Sequence, residues 1–134
     1  MLPLNYPLRW RVAGILLLLI VLAFAVTPEI WPWSGRRGSH LFDDDKWMHG
    51  VTFAALAVWY TGQYARSAYW RLAFGLLVFG LLIEAWQAML IYTTAETGDL
   101  VADVIGICAG IAIALGGTGG WSLRLEGWLQ NRRE

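Results

Sequence analysis

Six polar side chains interrupt otherwise apolar stretches of the chain, in three pairs: Lys46 and His49 in "DDDKWMHG", Glu84 and Gln87 in "LLIEAWQAML", Asp99 and Asp103 in "GDLVADVIG". An imidazole titrates near neutral pH and can act as a general acid or base beside carboxylates. No hydroxyl or thiol is spaced beside His49 as a nucleophile. His49, Glu84 and Asp103 are residue types that suit zinc, but HExxH-type spacing is absent, so no metal and no cofactor is assigned. With the carboxylates ionised and His49 neutral, Lys46 contributes one positive charge and Glu84, Asp99 and Asp103 three negative ones. That balance disfavours a bare phosphate or carboxylate ligand and favours an amine-bearing group or an array of sugar hydroxyls. Carboxylates in hydrocarbon are expensive and usually mark function. Plainer roles remain open: interhelical hydrogen bonding for Glu84, snorkelling for Lys46 and helix capping for Asp99. Asp43 and Asp44 read as solvated.

Four apolar runs must position these groups, at about residues 12–26, 47–64, 72–92 and 100–117. The composition agrees: of 134 residues 57% are hydrophobic and 15% charged, with mean hydropathy +0.50. A soluble domain is nearer a quarter charged. A spanning helix takes roughly 20 apolar residues, so the expectation is a single all-α domain over 1–134, an integral membrane four-helix bundle. "WSLRLEGWLQNRRE" adds a short interfacial helix at about 121–131. Zero net charge gives no reason to expect a nucleic-acid partner. Cys108, in an apolar run, reads as a buried structural thiol.

Lysine and arginine set the orientation. Arg9, Arg11, Arg66, Arg71, Arg124, Arg132 and Arg133 fall on one side; Arg36, Arg37 and Lys46 fall on the other, diluted by acidic residues. The positive-inside rule places both termini in the cytoplasm. Trp10, Tyr69, Trp70 and Trp121 then mark the inner interface, and Trp31, Trp33, Trp47 and Tyr92 the outer one. The first run, with Arg9, Arg11 and "AFA" at 23–25, also has the form of a cleavable signal peptide. At 1.5 Å per residue Glu84 lies about 12 Å below the outer interface, and His49 and Asp103 roughly 5 Å in, so the polar groups share the outer half of the bilayer. Ala102, Gly106, Gly110 and Ala114 recur every four residues as a small-residue ridge, suited to close packing within the chain or to a homo-oligomer face.

Together these residues make the chain similar to the VanZ-like family of small bacterial membrane proteins. The resemblance rests on Asp45, Lys46 and His49, then Glu84 and Gln87 in "EAWQ", then Asp99, Asp103, Gly106 and Gly110 in "DLVADVIGICAG". It covers roughly residues 40–115 and implies a multi-pass protein of the bacterial inner (plasma) membrane, connected to glycopeptide sensitivity, with no defined reaction. The family's usual arginine before the residue matching Asp99 is Thr93 here; Arg36 or Arg37 could substitute from the first outer loop. Two functions follow as expectations. One is a polar, outward-facing pocket of Asp45, Lys46, His49, Glu84, Gln87, Asp99 and Asp103 that binds a membrane lipid or a lipid-linked cell-wall precursor. The other is a structural or adaptor protein whose polar residues only join helices. A transport path through so few helices would need oligomers.

Overall fold

The computed structural model describes residues 1–27, 44–89 and 97–132. Arg36, Arg37, Thr93, Trp31, Trp33 and Tyr92 lie outside the described residues, as does the Asp45 side chain. The described chain is all helical, without a strand: α1 Pro7–Val26, α2 Asp44–Thr61, α3 Tyr69–Met89, α4 Thr97–Ile113 and α5 Trp121–Asn131. A short 3-10 turn, Arg66–Ala68, leads into α3, and a wide π turn, Ala114–Thr118, follows α4.

The helices begin earlier than their apolar runs suggest. Pro7 sits in the first turn of α1, where its missing N–H costs nothing, so the helix starts five residues before Val12. Helix α2 starts among its aspartates and ends at Thr61, three residues short of Tyr64. There the Thr61 carbonyl accepts from the Tyr69 hydroxyl at 3.3 Å and from the Gly120 N–H at 3.2 Å. Gly117 (φ 133°) and Gly120 (φ 72°) take the left-handed conformations that turn the chain from α4 into α5, which a side chain would strain.

Among the described residues three stretches are long and apolar enough to cross a membrane: Pro7–Val26, Arg66–Met89 and Gly98–Thr118. Helix α2 is not among them, because its first two turns carry Asp44, Asp45, Lys46 and His49. The outer faces are apolar, with Leu8 71%, Phe74 64% and Ile105 63% exposed. Inside, Phe53, Leu56, Leu76, Ile83 and Ile107 form the core, with Leu17, Leu18 and Val21 of α1 against it. A surface this apolar around a partly polar interior suits a lipid environment. Cys108 is exposed, which corrects its reading as a buried thiol: it lies on the flank of α4 away from the core, where an apolar run faces outward as readily as inward.

Helices α2 and α4 run parallel in close contact. A Cβ on Gly106 would overlap the Gly50 carbonyl, and one on Gly110 would sit 2.5 Å from the Ala54 oxygen and 2.6 Å from the Ala57 Cβ. Ala114, at the end of the ridge, is fully buried. The small-residue ridge is therefore the seam between two helices of one chain, the packing use of such ridges.

The opposite end is closed by aromatic rings. Trp10, Trp59 and Trp121 meet at centroid separations of 5.3–5.7 Å. The Trp121 Nε1–H donates to the Val58 carbonyl at 3.0 Å, and its ring lies against Gly62. Trp10, Tyr69 and Trp121 were expected together at one end; Trp59, inside an apolar run, gave no signal in the sequence.

Candidate functional site

The site lies where the start of α2, the start of α4 and the last turns of α3 come together. His49 stands one turn into α2, Asp99 and Asp103 occupy successive turns of α4, and Glu84 reaches in from α3. The His49 Nδ1 and the Asp103 Oδ1 are 2.9 Å apart, so the imidazole is oriented by a carboxylate with no exposed surface. One ligand atom each from His49, Glu84 and Asp99 lies within 4.8 Å of the others. Asp99 is 4% exposed, and Glu84 Oε1 is closed off from solvent.

Glycines make room for this arrangement. A Cβ on Gly80, one turn before Glu84, would come within 2.5 Å of Asp103 Oδ2 and 3.2 Å of the Phe53 ring. A Cβ on Gly98 would overlap Cε of Lys46 and lie 3.5 Å from its Nζ. The Lys46 side chain therefore passes over the first turn of α4, beside Asp99. Among the described residues Asp103 Oδ2 finds no hydrogen-bond donor.

Five of the seven expected site residues are thus neighbours: Lys46, His49, Glu84, Asp99 and Asp103. Gln87 differs. Its Nε2 donates to the Ala25 carbonyl at 3.1 Å, tying α3 to the last turn of α1. Residues at i and i+3 share a helix face, and a face wide enough for both can serve two neighbours. The backbone of Asp45 lies in the first turn of α2, at the edge of the cluster.

The set can do three things. His49, held by Asp103, can exchange a proton. The carboxylates can receive an amine or sugar hydroxyls. The same carboxylates, with the imidazole, can hold a cation. Replacing Gly80 by alanine is expected to push the Asp103 carboxylate off His49. The ¹⁵N shifts of His49, one of two histidines in the chain, should report loss of the Nδ1 hydrogen bond while His40 keeps its signals. An unchanged His49 spectrum would show that Asp103 does not orient the ring.

A second buried carboxylate lies at the other end. Glu126 of α5 is 4% exposed and accepts from the backbone N–H of Asn5 at 2.7 Å, the Tyr6 N–H at 3.2 Å, the Asn5 amide at 3.2 Å and the Trp10 indole at 2.7 Å. The sequence reading placed it merely within the interfacial helix. Its partners are more than a hundred residues away in sequence, and no local spacing announces them.

No family model, curated protein or solved structure matches the chain.

Proposed function

We propose that the chain is a multi-pass protein of the bacterial plasma membrane, similar to the VanZ-like proteins, whose outward-facing pocket binds the head group of a lipid or lipid-linked cell-wall precursor. Helix α2 is its fourth span: 18 residues rise about 27 Å, nearly the hydrocarbon thickness, with the charged first turn at the outer interface. Both termini are cytoplasmic, and α5 lies on the inner leaflet, where Arg132 stacks 3.9 Å from the Trp128 ring centre.

The single observation that carries this reading is the convergence of Lys46, His49, Glu84, Asp99 and Asp103 from three helices at one end. Helix association alone is a weak reason to keep them. An interhelical hydrogen bond contributes on average roughly 0.6 kcal/mol in a bilayer. An Asp costs about 2.5–3.5 kcal/mol at the centre of a spanning helix on insertion scales, an upper bound for groups nearer the outer interface. A precursor carrying amines and sugar hydroxyls matches the donors and acceptors present.

Native mass spectrometry of the purified protein tests the binding. The wild type is expected to retain a lipid-linked precursor, and Glu84→Gln to lose at least nine-tenths of it, with unchanged circular dichroism. Equal retention by Glu84→Gln, or no retained precursor in the wild type, would refute it. The structural or adaptor reading draws on the Gln87 and His49 hydrogen bonds, and it forecasts a different result. It expects Glu84→Leu to lower the melting temperature in detergent, whereas a residue kept for binding should leave it unchanged or raised.

A further inference from the structure

An open groove of about 410 Å³, lined almost wholly by apolar atoms, runs along the outside of α2. Val51, Ala54, Ala55 and Trp59 of α2 form it with Ile113 of α4 and Trp121 of α5. At about 3.6 residues per turn, Val51, Ala55 and Trp59 lie on a different flank of α2 from His49, Phe53 and Leu56, so the groove does not continue the polar cluster. Trp59 and Trp121 stand at its inner end, their ring centres 5.5 Å apart. From Val51 to Trp59 the helix rises about 12 Å, most of the roughly 15 Å hydrocarbon depth of one leaflet. With α5 at the inner leaflet, that is the depth taken by an acyl chain of an inner-leaflet lipid.

Cations gather at the tryptophan end. Arg124 follows Trp121 by one turn of α5 and donates to the carbonyls of Gly117 at 2.8 Å and Gly119 at 3.2 Å. Arg66 donates to the Leu115 carbonyl at 3.3 Å. Both guanidiniums are thereby held on the turn that follows α4, and both residues are exposed. A guanidinium carries five N–H groups, so these bonds orient the two side chains without using them up. Glu126 is the one carboxylate at this end among the described residues. Four N–H donors from Asn5, Tyr6 and Trp10 occupy it, and neither arginine pairs with it. Two fixed cations without a counter-charge, at the end of an apolar groove, match an anionic head group joined to an acyl chain. A zwitterionic head group carries its own amine and gains less from them.

We propose that this groove, with Arg66 and Arg124, binds one anionic phospholipid of the inner leaflet, its acyl chain along α2 and its phosphate at the guanidiniums. The inference rests on the placement of α5 at the inner leaflet and not on the head-group pocket at the opposite end.

The test is lipid competition on the full chain in detergent, read by native mass spectrometry. Dioleoyl phosphatidylglycerol and dioleoyl phosphatidylcholine are offered in equal amounts, so that only the head groups differ. The wild type should retain one phosphatidylglycerol per chain, about tenfold in preference to phosphatidylcholine. Arg66→Gln and Arg124→Gln should each weaken phosphatidylglycerol retention about fivefold and leave phosphatidylcholine unchanged. Ala55→Phe, at an exposed position of α2, fills the groove and should lower retention of both lipids with unchanged circular dichroism. Arg132→Gln is eight residues further along α5, about 12 Å away, and should behave as wild type. A wild type without preference overturns the proposal. So does an Arg132→Gln loss equal to that of Arg124→Gln, which would make the arginines a diffuse basic surface, and so does full retention by Ala55→Phe. Failure here is distinct from failure of the outer pocket: Glu84→Gln should keep its phosphatidylglycerol while losing the precursor, and a joint loss would overturn the separation of the two sites.

Discussion

Gly106→Ala should unfold this protein more readily, although alanine is the better helix former. Within α4 the exchange gains about 1 kcal/mol of intrinsic helix propensity. Against that, the new Cβ would overlap the Gly50 carbonyl and stand 3.1 Å from the Ala54 nitrogen, both backbone atoms of α2. A flexible side chain could swing away; a helix backbone moves only by parting the seam. Overpacking usually costs about 1–3 kcal/mol, and a backbone obstacle places this case at the upper end, so a net loss of about 2 kcal/mol is expected, and more for Gly106→Leu. Gly75 supplies the control. It lies on α3 with nothing within 4 Å of its Cβ position, so Gly75→Ala should be neutral or stabilising by up to about 1 kcal/mol. Melting in detergent separates the two. Were Gly106→Ala to melt with the wild type, the close approach of α2 and α4 would be wrong.

That seam was open in the sequence, because four small residues in register leave few uses other than close contact. Which helix they meet was not. The ridge meets α2 and so holds His49 beside Asp103. Helix starts were misjudged for a related reason. Hydropathy marks where a helix enters lipid, while Pro7 at the start of α1 and the polar first turn of α2 are helical without being apolar.

The polar cluster was legible in outline and not in detail. Glu84, Asp99 and His49 betray themselves as polar groups in or beside apolar runs, and helical spacing places them in the same half of the bilayer. Spacing on a single helix says nothing about neighbours, however: it puts Gln87 on the face of Glu84 and does not foretell that its amide reaches the Ala25 carbonyl of α1. Cys108 shows the same limit: in lipid an apolar run has no preferred inner face, so burial cannot be read from hydropathy. Glycine was the more informative residue. Gly80 and Gly98 admit Asp103 and Lys46, and a small residue facing a charged one across a helix pair is a pattern that a sequence carries without announcing.

Glu126→Ala should be the most damaging change outside the membrane-spanning helices. The carboxylate gathers four N–H donors from Asn5, Tyr6 and Trp10, at the end where α1 begins. The backbone donors Asn5 and Tyr6 stand just before α1, whose start carries a partial positive charge that also favours an anion there. Removing it leaves four part-buried donors without their acceptor. Loss of a charged acceptor costs about 1.5–3 kcal/mol, so a loss near 3 kcal/mol is expected, or about 10 °C of melting temperature for a chain of this size. Glu126→Gln keeps one acceptor oxygen and should fall between. Acidity gives an independent check. Burial pushes the Glu126 carboxyl upward, but the hydrogen bonds from Asn5, Trp10 and Tyr6 outweigh it and hold the group below its usual value of 4.5. A carboxylate whose folded value is depressed stabilises fully above the unfolded value and loses that contribution as pH falls through the folded one. The advantage of wild type over Glu126→Gln should therefore be constant from pH 8 to about 5 and shrink progressively below about 4.5. A gap that stays constant down to pH 3 would mean that the charge of Glu126 does not hold the two ends of the chain together.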